Sequence, residues 1–119
     1  MRAARAAAEK QAHDVMILQV RDLIAITDFF VICSGNTDRQ VKAIGEAIEE
    51  ELRAVGVKPI RREGERDFRW LLLDFADVVV HVFLDEARRF YELERLWKDA
   101  PRIDWELHVV PDLEQRASP

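Results

Sequence analysis

Hydrophobic and polar positions divide the chain into alternating helical and extended stretches. Ala3 to Ala12 is rich in the strongest helix former and interrupted by Arg5, Glu9 and Lys10, which predicts a short helix without a strong apolar stripe. Residues 1–13 therefore read as a peripheral helical arm, 14–101 as the domain proper and 102–119 as a tail. After Asp14, the run Val15-Met16-Ile17-Leu18-Gln19-Val20 has the length and branched residues of a mostly buried strand. Phe29-Phe30-Val31-Ile32-Cys33 predicts a second strand, apolar on both sides and so central in its sheet.

Thr37, with Gln40 three residues later, forms a capping box and opens a helix. Val41, Ile44, Ile48, Leu52 and Val55 recur at helical spacing on one face, and Gly56 marks the stop. Glu46, Glu49, Glu50, Glu51 and Arg53 fall elsewhere on the wheel and read as a solvated face. Pro59 to Glu63 suits an edge strand, because proline lacks a ladder donor and basic residues blunt an exposed edge. Gly64 to Asp67 is a turn. Phe68 to Leu73 and Val78 to Leu84 read as strands of an antiparallel hairpin, joined through Asp74-Phe75-Ala76-Asp77.

Asp85 is placed to cap a last helix, in which Phe90, Leu93 and Trp97 share the packing face until Pro101 ends it. Trp105, Leu107 and Val109 alternate with polar residues, so the tail adds a short strand or lies across the surface. The order predicts an α/β sandwich in a single domain, with a mixed sheet of about five strands, flanking helices and one helical crossover.

Composition narrows the function. A net charge of -5 argues against a general nucleic-acid binder, since neutralising phosphates needs a cationic surplus. It leaves room for a basic protein partner. With no apolar run of membrane-spanning length and no signal-peptide core at the N-terminus, the expectation is a cytoplasmic protein. Cys33 is the only cysteine; it suggests a buried strand thiol rather than a disulfide or zinc site.

Catalytic readings are weak. Ser34-Gly35 ahead of a helix could cradle a phosphate, but there is one glycine and no Gly-Lys-Ser/Thr. Asp74 and Asp77 could bind a divalent ion in a nucleotidyltransferase-like enzyme. They are three apart and bracket a turn, however, so turn-forming aspartates are the simpler account. His81 has no nucleophile or orienting partner in sequence, which leaves exposure on a binding face. Trp70, Leu72 and Asp74 share one side of their strand and Leu71, Leu73 and Phe75 the other. The second set is the natural core face. The first forms a partly exposed apolar patch unless helices cover both sides. The candidate partner-binding set is thus Trp70, Leu72, Asp74, Asp77, His81, Arg89, Tyr91 and Glu94, with Trp97 assigned mainly to packing.

The blocks Ile26-Thr27-Asp28-Phe29-Phe30-Val31-Ile32-Cys33-Ser34-Gly35 and Asp38-Arg39-Gln40-Val41 resemble the Iojap-like family of ribosomal silencing factors. The resemblance continues through Glu63-Gly64, Arg69-Trp70, Leu73-Asp74, the run from Asp77 to Phe83, and Arg88-Arg89-Phe90-Tyr91-Glu92-Leu93-Glu94-Arg95-Leu96-Trp97. It covers roughly residues 14–101. One departure is Ala76, where the family often has glycine, so a turn with positive φ is less comfortable there. The resemblance implies a degenerate nucleotidyltransferase-like fold with neither catalytic residues nor cofactor. It also implies a translation repressor that binds large-subunit ribosomal protein number fourteen and blocks subunit joining, and that is a homodimer when free. A large-subunit assembly factor and an enzyme are the alternatives.

Overall fold

A computed structural model describes residues 2–105 of the 119. Its elements run α1 (Arg2–Glu9), β1 (His13–Gln19), β2 (Phe29–Gly35), α2 (Asp38–Arg53), β3 (Arg61–Glu63), β4 (Trp70–Asp74), β5 (Val78–Leu84), α3 (Asp85–Tyr91), α4 (Leu93–Leu96) and β6 (Arg102–Ile103). The strands form one six-stranded sheet in the order β3-β4-β5-β2-β1-β6. Among the described residues only β2 and β5 pair in parallel, in register from Phe29 opposite Val78 to Gly35 opposite Leu84; every other pairing there is antiparallel. That pair needs the crossover through α2, β3 and β4. The sheet has one strand more than the pattern predicts because the tail contributes β6, with Ile103 opposite Ile17 and Arg102 opposite Leu18. Leu107 and Val109 lie outside the described residues.

On one face Ile17, Val31, Cys33, Leu71, Leu73, Val80 and Val82 meet Val41, Ile44 and Ile48 of α2. Each fully buried aliphatic side chain there contributes about 1.5–3 kcal/mol. The capping box is real in a shifted form: Thr37 Oγ1 accepts from Gln40 N at 3.1 Å, while Gln40 Oε1 accepts from Asn36 N at 2.6 Å. Gly56, at φ 84, stops the chain just past the helix. The expected apolar face frays there, and Val55 is exposed.

The expectation of a peripheral N-terminal arm is overturned. Ala3, Ala4, Ala6 and Ala7 are buried in the same core as α2, and Gln40 Nε2 donates to Lys10 O and Gln11 O. Small alanines let α1 approach α2 closely without a large apolar stripe, which is why the pattern understated it.

The opposite face packs Leu18, Phe30, Ile32, Val79 and Phe83 against Ala87, Leu93 and Ala100. The single last helix predicted from Asp85 to Pro101 is also corrected. Glu92 adopts φ 47 and breaks it into α3 and α4. Asp85 is not the cap: Leu84 occupies that position without a side-chain bond, and the Asp85 carboxylate lies 3.3 Å from His13 Nδ1. Phe90 is not core either, being 78% exposed, because α3 turns Ala87 and Arg88 to the sheet.

Candidate partner-binding face

β4 lies next to the edge strand β3, and on the second sheet face its side chains are only partly covered. Strand alternation points Trp70 and Leu72 to that side, and both are half-buried. The Trp70 ring packs 4.7 Å from Phe83, its partner across the ladder, and 4.9 Å from Tyr91 at the end of α3. Tyr91 in turn meets Phe90 edge-on at 5.0 Å. The result is an aromatic run, Trp70-Tyr91-Phe90, that becomes more exposed outward: Tyr91 is 49% and Phe90 78% accessible. Arrays of this kind, with rigid rings and large apolar area, suit protein recognition.

His81 belongs to this cluster, but not as an exposed contact. It sits opposite Leu72 on β5, only 5% exposed, with β4 and β2 pairing on either side. Its Nδ1 accepts a hydrogen bond from Trp70 Nε1 at 3.0 Å, and its ring meets Phe30 edge-to-face at 4.8 Å. Burial pushes its pKa down to about 4, so the ring is neutral near pH 7. Nε2 is buried and has no hydrogen-bond partner among the described residues.

Glu94 is likewise turned to internal work. Its Oε2 accepts from Arg88 Nε at 3.3 Å. Arg88 itself is buried, and its Nη1 donates to Asp14 O at 2.8 Å, Ser34 Oγ at 3.2 Å and His13 O at 3.3 Å. One guanidinium thus ties α3 to α4, to the irregularity in β1 where Asp14 has φ 48, and to β2. Arg89, its neighbour, is exposed and borders a cleft of about 280 Å³ with Asp14, Ser34, Asp85, Arg88, Glu92 and Glu94.

Asp74 and Asp77 stand apart from the aromatic run, since Asp74 lies four residues, or about 13 Å, along β4 from Trp70. Asp74 Oδ1 accepts from Ala76 N at 2.9 Å, and Oδ2 lies 3.8 Å from Arg61 Nη2. This is the turn chemistry expected of it. It holds Ala76 at φ 76, the positive value at which alanine is less comfortable than glycine. Asp77 is exposed, and its carbonyl accepts from Asp28 N and Phe29 N at 3.0 and 3.1 Å.

The phosphate-cradle reading of Ser34-Gly35 fits poorly. The Ser34 hydroxyl donates to His13 O and accepts from Arg88, and the Asn36 amide is taken by Gln40. Among the described residues no three or more His, Cys, Asp or Glu side chains converge as metal ligands. Of the eight residues expected at the site, Trp70, Leu72 and Tyr91 come together at the surface, with His81 beneath them. Sequence reasoning missed Phe90, assigned to packing, and Arg88, whose burial has no signature in composition or spacing.

The whole chain, residues 1–119, matches the family model described as ribosomal silencing factor during starvation. The chain belongs to that family. The silencing factor RsfS of Bacillus subtilis (strain 168) is 42% identical over 102 residues, covering 86% of each chain. A crystal structure of a protein from Chromobacterium violaceum is similar at a TM-score of 0.79 and 32% identity, over 82% of this chain and 81% of that chain. A mouse protein named mitochondrial assembly of ribosomal large subunit protein 1 is 33% identical over 92 residues, covering 75% of this chain and 40% of its own length.

Proposed function

We propose that this silencing factor represses translation by docking on large-subunit ribosomal protein number fourteen and excluding the small subunit by its bulk. The observation that carries the reading is the exposed aromatic run on the open sheet face of a family member. Trp70, Leu72 and Tyr91 form its anchor together with Phe90, with Arg89 next to Phe90, while the carboxylates Asp74 and Asp77 lie apart from the run and act through longer-range charge. Aromatic anchors supply most of the affinity at such faces, and marginal charges set the encounter rate. The net charge of -5 favours a basic protein partner over bare RNA. The mechanism needs occupancy alone, so the reading includes neither catalysis nor cofactor. The protein is taken to act in the cytoplasm and to dimerise when free; no helix among the described residues is long and apolar enough to cross a membrane.

Binding of Trp70→Ala and Asp77→Asn to the isolated ribosomal protein, at two salt concentrations and after circular dichroism has shown folding, tests the face. Trp70→Ala should weaken binding by about 2 kcal/mol, roughly thirtyfold. Asp77→Asn should slow association and flatten its salt dependence. Wild-type affinity for folded Trp70→Ala would refute the assignment. The name of the mouse relative favours a second reading, a large-subunit assembly factor, which predicts binding to immature subunits without any block to joining.

A further inference from the structure

We propose that His81 is the positioning residue of the docking face: its Nδ1 fixes the orientation of the Trp70 indole, and so the shape the face offers its partner. The inference rests on the docking role of Trp70 given above. A half-buried tryptophan on a strand near a sheet edge has freedom to rotate about its side-chain torsions, and a docking anchor gains affinity when that freedom is removed beforehand. Phe83 and Tyr91 bound the Trp70 ring at 4.7 and 4.9 Å, tilted 33° and 47°, but neither contact is directional. The hydrogen bond from Nε1 to His81 Nδ1, at 3.0 Å, is.

Two further observations favour a positioning role over simple packing. First, the neighbours of His81 along β5 are Val79, Val80, Val82 and Phe83, so an aliphatic or aromatic residue would fill the site without a polar atom. Second, when Nδ1 accepts, the neutral ring carries its proton on Nε2, and in this buried position Nε2 has no partner among the described residues. A buried polar group left unpaired is costly, and here the cost is tied to a single gain, the acceptor facing Trp70. The depressed pKa keeps that acceptor free of a proton at neutral pH. The ring is itself held in place by Phe30.

Two variants test the role. His81→Asn retains an oxygen near the Nδ1 position, whereas His81→Phe fills the space without an acceptor. The readouts are the indole ¹⁵N–¹H signal of Trp70, assigned through Trp70→Phe and followed by hydrogen exchange in the free protein, and affinity for isolated large subunits. His81→Phe should lose the shifted, protected indole signal and bind at least about fivefold more weakly, the size expected from one lost buried hydrogen bond. His81→Asn should recover both. A folded His81→Phe with an unchanged indole signal, or with a changed signal and wild-type affinity, overturns the proposal, as does failure of His81→Asn to recover either readout. If Trp70→Ala also binds normally, the docking reading has failed as well; the indole signal still reports separately on the hydrogen bond.

Discussion

Replacing Arg88 by methionine tests whether one buried cation holds the α3–α4 layer in place. The side chain is 7% exposed and reaches four acceptors: Glu94 Oε2, His13 O, Asp14 O and Ser34 Oγ. Methionine restores much of the volume but none of the donors. It leaves two strand carbonyls and a carboxylate facing a part-buried space, and Glu94 Oε1 already lacks a partner among the described residues. Each hydrogen bond to a charged group is worth about 1.5–3 kcal/mol, but such bonds are not additive. The closer guide is the loss on breaking a buried ion pair from one side, about 3–5 kcal/mol. That is a large share of the 5–15 kcal/mol typical of a domain. Urea denaturation of Arg88→Met, Glu94→Gln and the double variant measures it. The prediction is a loss of about 3–5 kcal/mol for Arg88→Met, a smaller one for Glu94→Gln, and a double variant less stable by clearly less than the sum. Destabilisation of Arg88→Met by under about 1 kcal/mol would show that the guanidinium is not the tie described.

Other expectations follow from single residues. Cys33 is fully buried and its pKa is pushed up to about 12, so a bulky thiol reagent should label folded protein far more slowly than unfolded protein. His81, lowered from 6.5 to about 4, stays neutral in the folded state while the unfolded chain takes up a proton. Its stabilising contribution is therefore complete above pH 6.5 and lost as pH falls toward 4. Between pH 7.5 and 5 the wild type should lose about 2 kcal/mol more than His81→Phe, as read from urea midpoints; equal losses would contradict the burial. Gly64 has φ 88, and an added Cβ would fall 1.9 Å from the carbonyl oxygen of Trp70, so Gly64→Ala should cost several kcal/mol in thermal or urea melts, or about 1–3 from strain alone if the turn shifts.

How far the sequence could be read depended on whether periodicity or tertiary context decided each position. The central place of Phe29–Cys33, the helix opened by Thr37 and Gln40, and the hairpin through Asp74–Asp77 all rest on local patterns, and all are present. The role of α1 was hidden, because burial of alanine depends on what lies opposite it. The break at Glu92 has no glycine or proline to announce it; it arises as Leu93 turns into the core while Arg88 is held by β1 and β2. The candidate face was legible in part. Alternation places Trp70 and Leu72 on one side of β4, and residue type alone adds Tyr91 to them, whereas helical spacing puts Phe90 in the core. A histidine within a run of valines does not reveal whether it faces solvent or a neighbouring indole; the strand register, with His81 opposite Leu72 and bonded to Trp70, decides it.

The central claim, repression by occupancy, is tested most directly by following subunit joining with light scattering as purified small subunits are added to large subunits carrying increasing amounts of this protein. The account predicts inhibition that saturates near one protein per large subunit, needs no nucleotide, and is relieved by Trp70→Ala. Unimpeded joining with the protein bound, or inhibition at far less than one protein per subunit that requires ATP or GTP, would contradict it.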